Sequence, residues 1–158
     1  YLRAMTTLRP FARDDINALL ALDVHLDQGG RVAPNSVTIA QSIFEPGSEI
    51  FGIWDSDTAV GLLAIVDMAH PNADLDDEDD PDGIYIWRLM VDAGAQGQGH
   101  GKAAIQHALS IARERGRAHV TLSAVPENDN ALGLYESLGF KRTGRIVDGE
   151  VELTFRPA

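Results

Sequence analysis

The chain contains no cysteine. Disulfides, thiolate zinc sites and cysteine nucleophiles are thereby excluded, and a reducing, cytoplasmic setting is expected. Basic residues are few: 13 Lys and Arg stand against 24 Asp and Glu, a net charge of -11. Nucleic acid is bound mainly by neutralising its phosphates, so it is disfavoured as a partner. An anionic membrane surface is disfavoured for the same reason. A cationic partner or substrate fits better, although acidity also serves plain solubility. No apolar run approaches the ~18 residues that span a bilayer. No charged-then-apolar leader opens the sequence. His25, His70, His100, His107 and His119 are scattered without ligand spacing, so no metal is expected. There is no internal repeat and no linker. The 158 residues amount to about one domain. That domain is expected over residues 5–158. Tyr1 to Ala4 precede Met5, a more natural start, and read as a cloning remnant with no role.

What is present alternates between strand and helix patterns. Thr6 to Phe11 reads as a strand. Arg13-Asp14-Asp15 opens a helix carrying Ile16, Leu19, Leu20 and Val24, which Gly29-Gly30 breaks. A second helix runs from Pro34-Asn35-Ser36 to about Phe44, before Pro46-Gly47. Ile50–Trp54 and Ala59–Met68 form a hairpin around Asp55-Ser56-Asp57. Seven of the nine residues Asp74 to Asp82 are acidic, a density that predicts a solvated loop. Ile84–Asp92 is the most apolar strand. Lys102–Arg115 is a strong helix with Ile105, Ala108, Leu109 and Ala112 on one face. A strand over Ala118–Val125 and a short helix capped by Asn128 follow. A last hairpin, Phe140–Val147 and Glu150–Phe155, closes on the type I′ signal Asp148-Gly149. The order predicts an α/β (α+β) fold: a mixed, mostly antiparallel sheet of about seven strands, with about four flanking helices and one parallel pair.

Gln96-Gly97-Gln98-Gly99-His100-Gly101-Lys102 joins the apolar strand to the strong helix. Alternating glycines let a ligand approach the amides closely. A helix N-terminus favours an anion. The loop therefore reads as a phosphate cradle or, more plainly, as a glycine-rich turn. A P-loop needs Gly where Gln96 stands and Ser or Thr where Ala103 stands, so that reading fails. The dinucleotide fingerprint has a different glycine spacing. A calcium loop within the acidic run would need Glu where Leu89 stands.

Two segments carry a family resemblance. Gln96 to Gly101 resembles the acetyl-CoA pyrophosphate loop of the GNAT acetyltransferases, Gln/Arg-x-x-Gly-x-Gly/Ala. About 30 residues downstream, Asn128 to Phe140 is similar to that family's second signature, Asn-x-x-Ala-x-x-Leu-Tyr-x-x-x-Gly-Phe. The order of elements agrees with the GNAT fold along nearly the whole chain. Within the family, Tyr85 to Asp92 looks similar to bacterial spermine/spermidine acetyltransferases.

The resemblance implies a fold with splayed fourth and fifth strands and acetyl-CoA as co-substrate. It implies backbone amides of Gln96, Gly97, Gln98, Gly99, His100, Gly101 and Lys102 on the pyrophosphate. Met90 and Val91 would offer backbone groups to the pantetheine arm, and Asn128 would hydrogen-bond the cofactor. Tyr135 would be the general acid. Its chemistry agrees, because a phenol with pKa ~10 stays protonated at neutral pH until a thiolate leaves. Tyr135 also fits a plain core position beside Ala131, Leu134 and Leu138. Tyr85 and Trp87 are candidate walls of an amine pocket, with Asp92 at the strand end. Arg88 should alternate to the other face. No carboxylate lies within Ile84–Val91, so the general base is unassigned among Asp92, Glu49, His70, Glu127 and water.

The implied function is N-acetylation of a primary amine, with small cationic amines such as spermidine or spermine first. Another amine (an amino acid, an antibiotic, a protein N-terminus) or a non-catalytic acyl-CoA sensor are the alternatives. The acidic loop is either a funnel for polyamines or a solubilising segment. A homodimer through the final hairpin is expected from the family.

Overall fold

The computed structural model describes residues 5–23 and 33–157. The strands are β1 (Thr6–Pro10), β2 (Ser48–Asp55), β3 (Thr58–Asp67), β4 (Gly83–Val91), β5 (His119–Ala124), β6 (Lys141–Val147) and β7 (Glu150–Phe155). The helices are α1 (Ile16–Leu20), α2 (Asn35–Ser42), α3 (His100–Arg115) and α4 (Asp129–Ser137). The seven strands make one sheet in the order β1-β2-β3-β4-β5-β7-β6. Every neighbouring pair is antiparallel except β4 and β5. This is the mixed α/β architecture expected from the sequence. The expected first helix ends at Leu20; Val24 and the Gly29-Gly30 break lie outside the described residues.

The buried face of α3 is the one its periodicity predicts. Ile105, Ala108, Leu109 and Ala112 are all buried and join Ile84, Ile86, Val120, Leu122 and Leu153 in the main core. Fully burying one such Ile or Leu stabilises by roughly 1.5–3 kcal/mol. α4 adds Leu132 to the same core. On the opposite face of the sheet a smaller core gathers Leu19 of α1, Ile39 of α2, Leu62, Ala64, Met90 and Trp87. The last hairpin turns on Asp148 (φ 49°) and Gly149 (φ 80°), both positive as a type I′ turn requires.

An ion-pair cluster fixes the C-terminal end of α3. Asp67, at the end of β3, accepts from Arg115 (3.0 Å) and twice from Arg117 (2.9 and 3.0 Å). Burial raises the Asp67 carboxyl, but hydrogen bonds from Arg117, the Ala69 amide and Arg115 outweigh it and hold the group below its usual value. Arg115 also grips both oxygens of Glu49. One end of α3 is thus tied to β2 and β3, which leaves its other end to face the site. No helix among the described residues is long and apolar enough to cross a membrane.

Candidate active site

β4 and β5 pair only over Gly83–His119, Ile84–Val120 and Tyr85–Thr121. Past Tyr85 the two strands no longer bond. A cleft of about 410 Å³ opens beside the unpaired part of β4. Leu89, Met90 and Val91 line one wall, the glycine loop lines the end, and Asn128, Ala131, Leu134 and Tyr135 line the other.

The loop meets this cleft with free backbone donors. Gly97 and Gly99 have φ of +77° and +88°, and a Cβ at either would touch nothing within 4 Å. Their glycines answer to backbone conformation, not to packing. Gly99 is the N-cap of α3, and no side chain caps that end. The first intrahelical bond runs from the Ala103 amide to the Gly99 carbonyl, 3.1 Å. The amides of His100, Gly101 and Lys102 therefore have no acceptor within the helix. Three such donors at the positive end of a 16-residue helix suit a phosphate or pyrophosphate. The His100 side chain is turned away from this task. Its ring is buried, with Nδ1 2.8 Å from the Thr6 hydroxyl, and it pins the helix start to β1. Gln98 is exposed and lines neither this cleft nor the one below.

Met90 and Val91 differ in their backbone directions. The Met90 carbonyl oxygen lies against Gly61 of β3. By strand alternation Leu89 and Val91 then turn their peptide groups toward the open side. The Val91 carbonyl accepts there from Gln96 Nε2 at 3.1 Å. Asn128 caps α4 by accepting from the Ala131 amide (3.3 Å), so its side-chain nitrogen is the donor it can offer a ligand.

Tyr135 packs beside Phe140, with ring centroids 6.3 Å apart. It joins the edge of the main core and still lines the cleft. Its phenol is pushed up to about 12, first by burial and then by the negative charge of Glu150.

On the other side of β4 lies a second cleft, of about 390 Å³. Tyr85 and Trp87 line it, as their candidacy for an amine pocket requires. Arg88 lines it too, against the expected alternation. The reason is a β-bulge: Ala64 pairs with Arg88 and Ile65 with Ile86, which leaves Trp87 as the extra residue. The Arg88 guanidinium lies over the Trp87 ring at 5.3 Å and donates to the Trp87 carbonyl. One aromatic face expected to meet a substrate cation already meets this one.

Acids dominate the second cleft. Asp74, Asp76, Glu78, Asp79 and Asp80 come from the acidic loop, joined by Glu45, Asp148, Glu150 and Glu152. Nine carboxylates face two guanidiniums, those of Arg88 and Arg145. The acidic loop is more structured than charge repulsion alone implies. Asp79 accepts from the Asp76 amide, Asp80 accepts from the Asp82 amide and pairs with His119, and Arg145 pairs with Glu78, Asp79 and Glu152.

Asp92 lines neither of these clefts. Its carboxylate caps the turn Ala93–Ala95, accepting from the amides of Gly94 and Asp23. Of the other base candidates, Glu49 is held by Arg115, His70 accepts from the Asn72 amide, and Glu127 lines neither cleft. Sequence reasoning passed over Glu150. It accepts from the Ser123 hydroxyl at 2.8 Å, and its charge reaches both Tyr85 and Tyr135. The signal was there: Glu150 and Glu152 alternate with Val151 and Leu153, which gives β7 one acidic face.

Residues 16–140 match the model of the acetyltransferase (GNAT) family. The chain belongs to that family. Among its GNAT relatives, the peptidyl-lysine N-acetyltransferase YjaB of Escherichia coli is 28% identical over 130 residues, covering 69% of this chain and 85% of that protein. Human N-acetyltransferase 8B is 40% identical over 62 residues, 39% of this chain, and the match spans 27% of its length. Among solved structures, the spermidine N-acetyltransferase from Vibrio cholerae, in complex with CoA and spermine, superposes with a TM-score of 0.73 at 17% identity. That match covers 96% of this chain and 95% of that one, and at such identity it shows the fold. Acetyl-CoA is the GNAT co-substrate, and the uncapped amides of α3 beside an open strand fit its pyrophosphate and arm.

Proposed function

We propose that the chain moves an acetyl group from acetyl-CoA to a primary amine of a small polycation, with spermidine and spermine first among candidates. One observation carries the substrate class: the nine-carboxylate cleft lies across β4 from the glycine-loop cleft, and Tyr85, Trp87 and Arg88 of the same strand line it. Such a lining concentrates and orients cations. Acetyl-CoA supplies an activated acetyl thioester. The amides of His100, Gly101 and Lys102 hold its pyrophosphate, Gln96, Gly97 and Gly99 shape the turn, and Asn128 donates to the arm. Val91 and Leu89, more than Met90, present backbone groups to it. Tyr135 keeps its proton until sulfur departs. Against a thiol of ~8.5, a phenol of about 12 gives up that proton uphill by roughly 5 kcal/mol. The transfer is therefore coupled to return of a proton from the acylated nitrogen. Asp92 supports the end of β4 and takes no direct part.

The peptidyl-lysine acetylation for which YjaB is named favours a second acceptor, a lysine side chain on a peptide. A cytoplasmic setting and a homodimer along the β6 edge, where Ile146 is exposed, complete the proposal. The test mixes acetyl-CoA with spermidine, a lysine peptide and a neutral-tailed monoamine, and follows free CoA thiol. Turnover ranked spermidine above peptide above monoamine is expected. CoA binding without turnover on any amine would make the chain a sensor.

A further inference from the structure

Three side chains form a directed hydrogen-bond chain at the floor of the acidic cleft. The Ser123 hydroxyl donates to Glu150 Oε2 at 2.8 Å, and its oxygen lies 3.4 Å from the Tyr85 hydroxyl. Ser123 has one proton and spends it on Glu150. The Tyr85 proton is therefore the one that points at Ser123, and the lone pairs of the Tyr85 oxygen are left to accept from something else. All three residues line the acidic cleft. They come from β4, β5 and β7, and they meet where β4 and β5 stop pairing.

We propose that Tyr85, Ser123 and Glu150 are the route by which the acceptor ammonium loses its proton, with Glu150 as the terminal proton acceptor. This rests on the acetyl-transfer reading above. The ammonium proton passes to the Tyr85 oxygen as the Tyr85 proton moves to Ser123 and the Ser123 proton moves to the Glu150 carboxylate. The freed nitrogen lone pair forms the C–N bond. The C–S bond breaks, sulfur takes the proton of Tyr135, and Tyr135 regains one from the acylated nitrogen. Glu150 later releases its proton to the solvent in the cleft. The relay leaves Tyr85 and Ser123 as they began.

The groups around Glu150 suit the task. Glu152 flanks it on β7, Tyr85 senses its charge from β4 and Tyr135 from α4, and Arg88 of β4 lines the same cleft. Arg145 of β6 is engaged by Glu152, Glu78 and Asp79. Glu150 has no arginine partner among the ion pairs of the described residues, so its carboxylate is not neutralised by one.

The experiment measures kcat/KM for spermidine from pH 6.5 to 10 in the wild type and in Glu150→Gln, Ser123→Ala and Tyr85→Phe. CoA affinity is measured in each as a check on folding. Loss of a general base costs about 100-fold or more at neutral pH. Without the acceptor only free amine reacts, and its fraction grows tenfold per pH unit toward the amine pKa of ~10.4. The deficit of Glu150→Gln should therefore shrink steadily as pH rises and nearly close at pH 10. Ser123→Ala and Tyr85→Phe should show a smaller deficit of the same shape. A loss confined to KM and unchanged by pH would make Glu150 a charge that only binds, and would overturn the relay. So would wild-type profiles in Ser123→Ala and Tyr85→Phe, even if Glu150→Gln failed to fold. If the wild type itself turns over no amine, the acetyl-transfer reading falls and takes the relay with it. Wild-type turnover with unaltered variants removes the relay alone.

Discussion

The acidic cleft makes a quantitative prediction about which amines gain from it. Asp74 and Asp76 line the cleft, are exposed, and have no arginine partner among the described residues. The fold needs little from them, since the turn at Asp76 uses its backbone. Asp74→Asn combined with Asp76→Asn therefore removes charge and little else. Across ~10 Å of water each carboxylate attracts a unit cation by about 0.4 kcal/mol. Screening leaves about 0.3 kcal/mol at 10 mM salt and about 0.1 kcal/mol at 150 mM. Two carboxylates are thus worth about 0.6 kcal/mol per remote substrate charge at low salt, roughly threefold in kcat/KM. Spermidine keeps two charges beyond its reacting nitrogen, so it should lose roughly eightfold at 10 mM and only about twofold at 150 mM. A monoamine with a neutral tail carries only its reacting ammonium and should lose at most about threefold at 10 mM. Free CoA can be read with a thiol reagent in continuous assay, because the enzyme has no cysteine of its own. Equal losses for the triamine and the monoamine, or a loss indifferent to salt, would refute the idea that the cleft works through its field.

Three further expectations follow from the fold and the cofactor cleft. Tyr135→Phe should lower kcat about 100-fold or more while CoA still binds. Because the phenol sits at about 12, its acid form is complete throughout neutral pH and is lost only above that value; an alkaline limb near pH 9 that this variant abolishes would contradict the placement. Gly99→Ala should cost ~1 kcal/mol through its positive φ and weaken CoA binding, read by thermal melting and calorimetry. Full CoA affinity in that variant would show that the left-handed turn is dispensable. Asp67→Asn should lower stability by about 2 kcal/mol at pH 7. The Asp67 carboxyl is held low when folded, so its contribution is present above the unfolded value of ~3.9 and disappears as pH falls through the folded one. The melting curves of variant and wild type should therefore converge as pH falls below the ordinary carboxylate range.

Most of the architecture was legible because its signals are local. The stripe Ile105, Ala108, Leu109, Ala112 named the buried face of α3, and Asp148-Gly149 named the last turn. The glycine loop could be placed because glycine spacing and a helix start are adjacent in sequence. What escaped depends on contacts between distant strands. The bulge at Trp87 inserts a residue opposite β3, so period-two counting from Tyr85 put Arg88 on the wrong face. Glu150 reaches the site only because β7 lies beside β5 and turns its acidic face toward Ser123. The acidic loop was legible as charge but not as structure, since Arg145 and His119 lie far along the chain from the acids they hold.

The three-residue seam between β4 and β5 also bears on mechanics. The sheet is two slabs, four strands on one side and three on the other, joined at one short parallel edge. A pantetheine arm bonded to the free edge of β4, as proposed above, would act as a rung between the slabs. Stiffness then becomes a function of co-substrate concentration, through the usual dependence of stability on ligand binding. Amide exchange in β4 beyond Tyr85 and in β5 beyond Thr121 should slow together as CoA is added, while β1 and β2, at the edge of the sheet remote from the seam, stay as they were. The enzyme would be most pliant when empty and would brace itself around each molecule it is about to use.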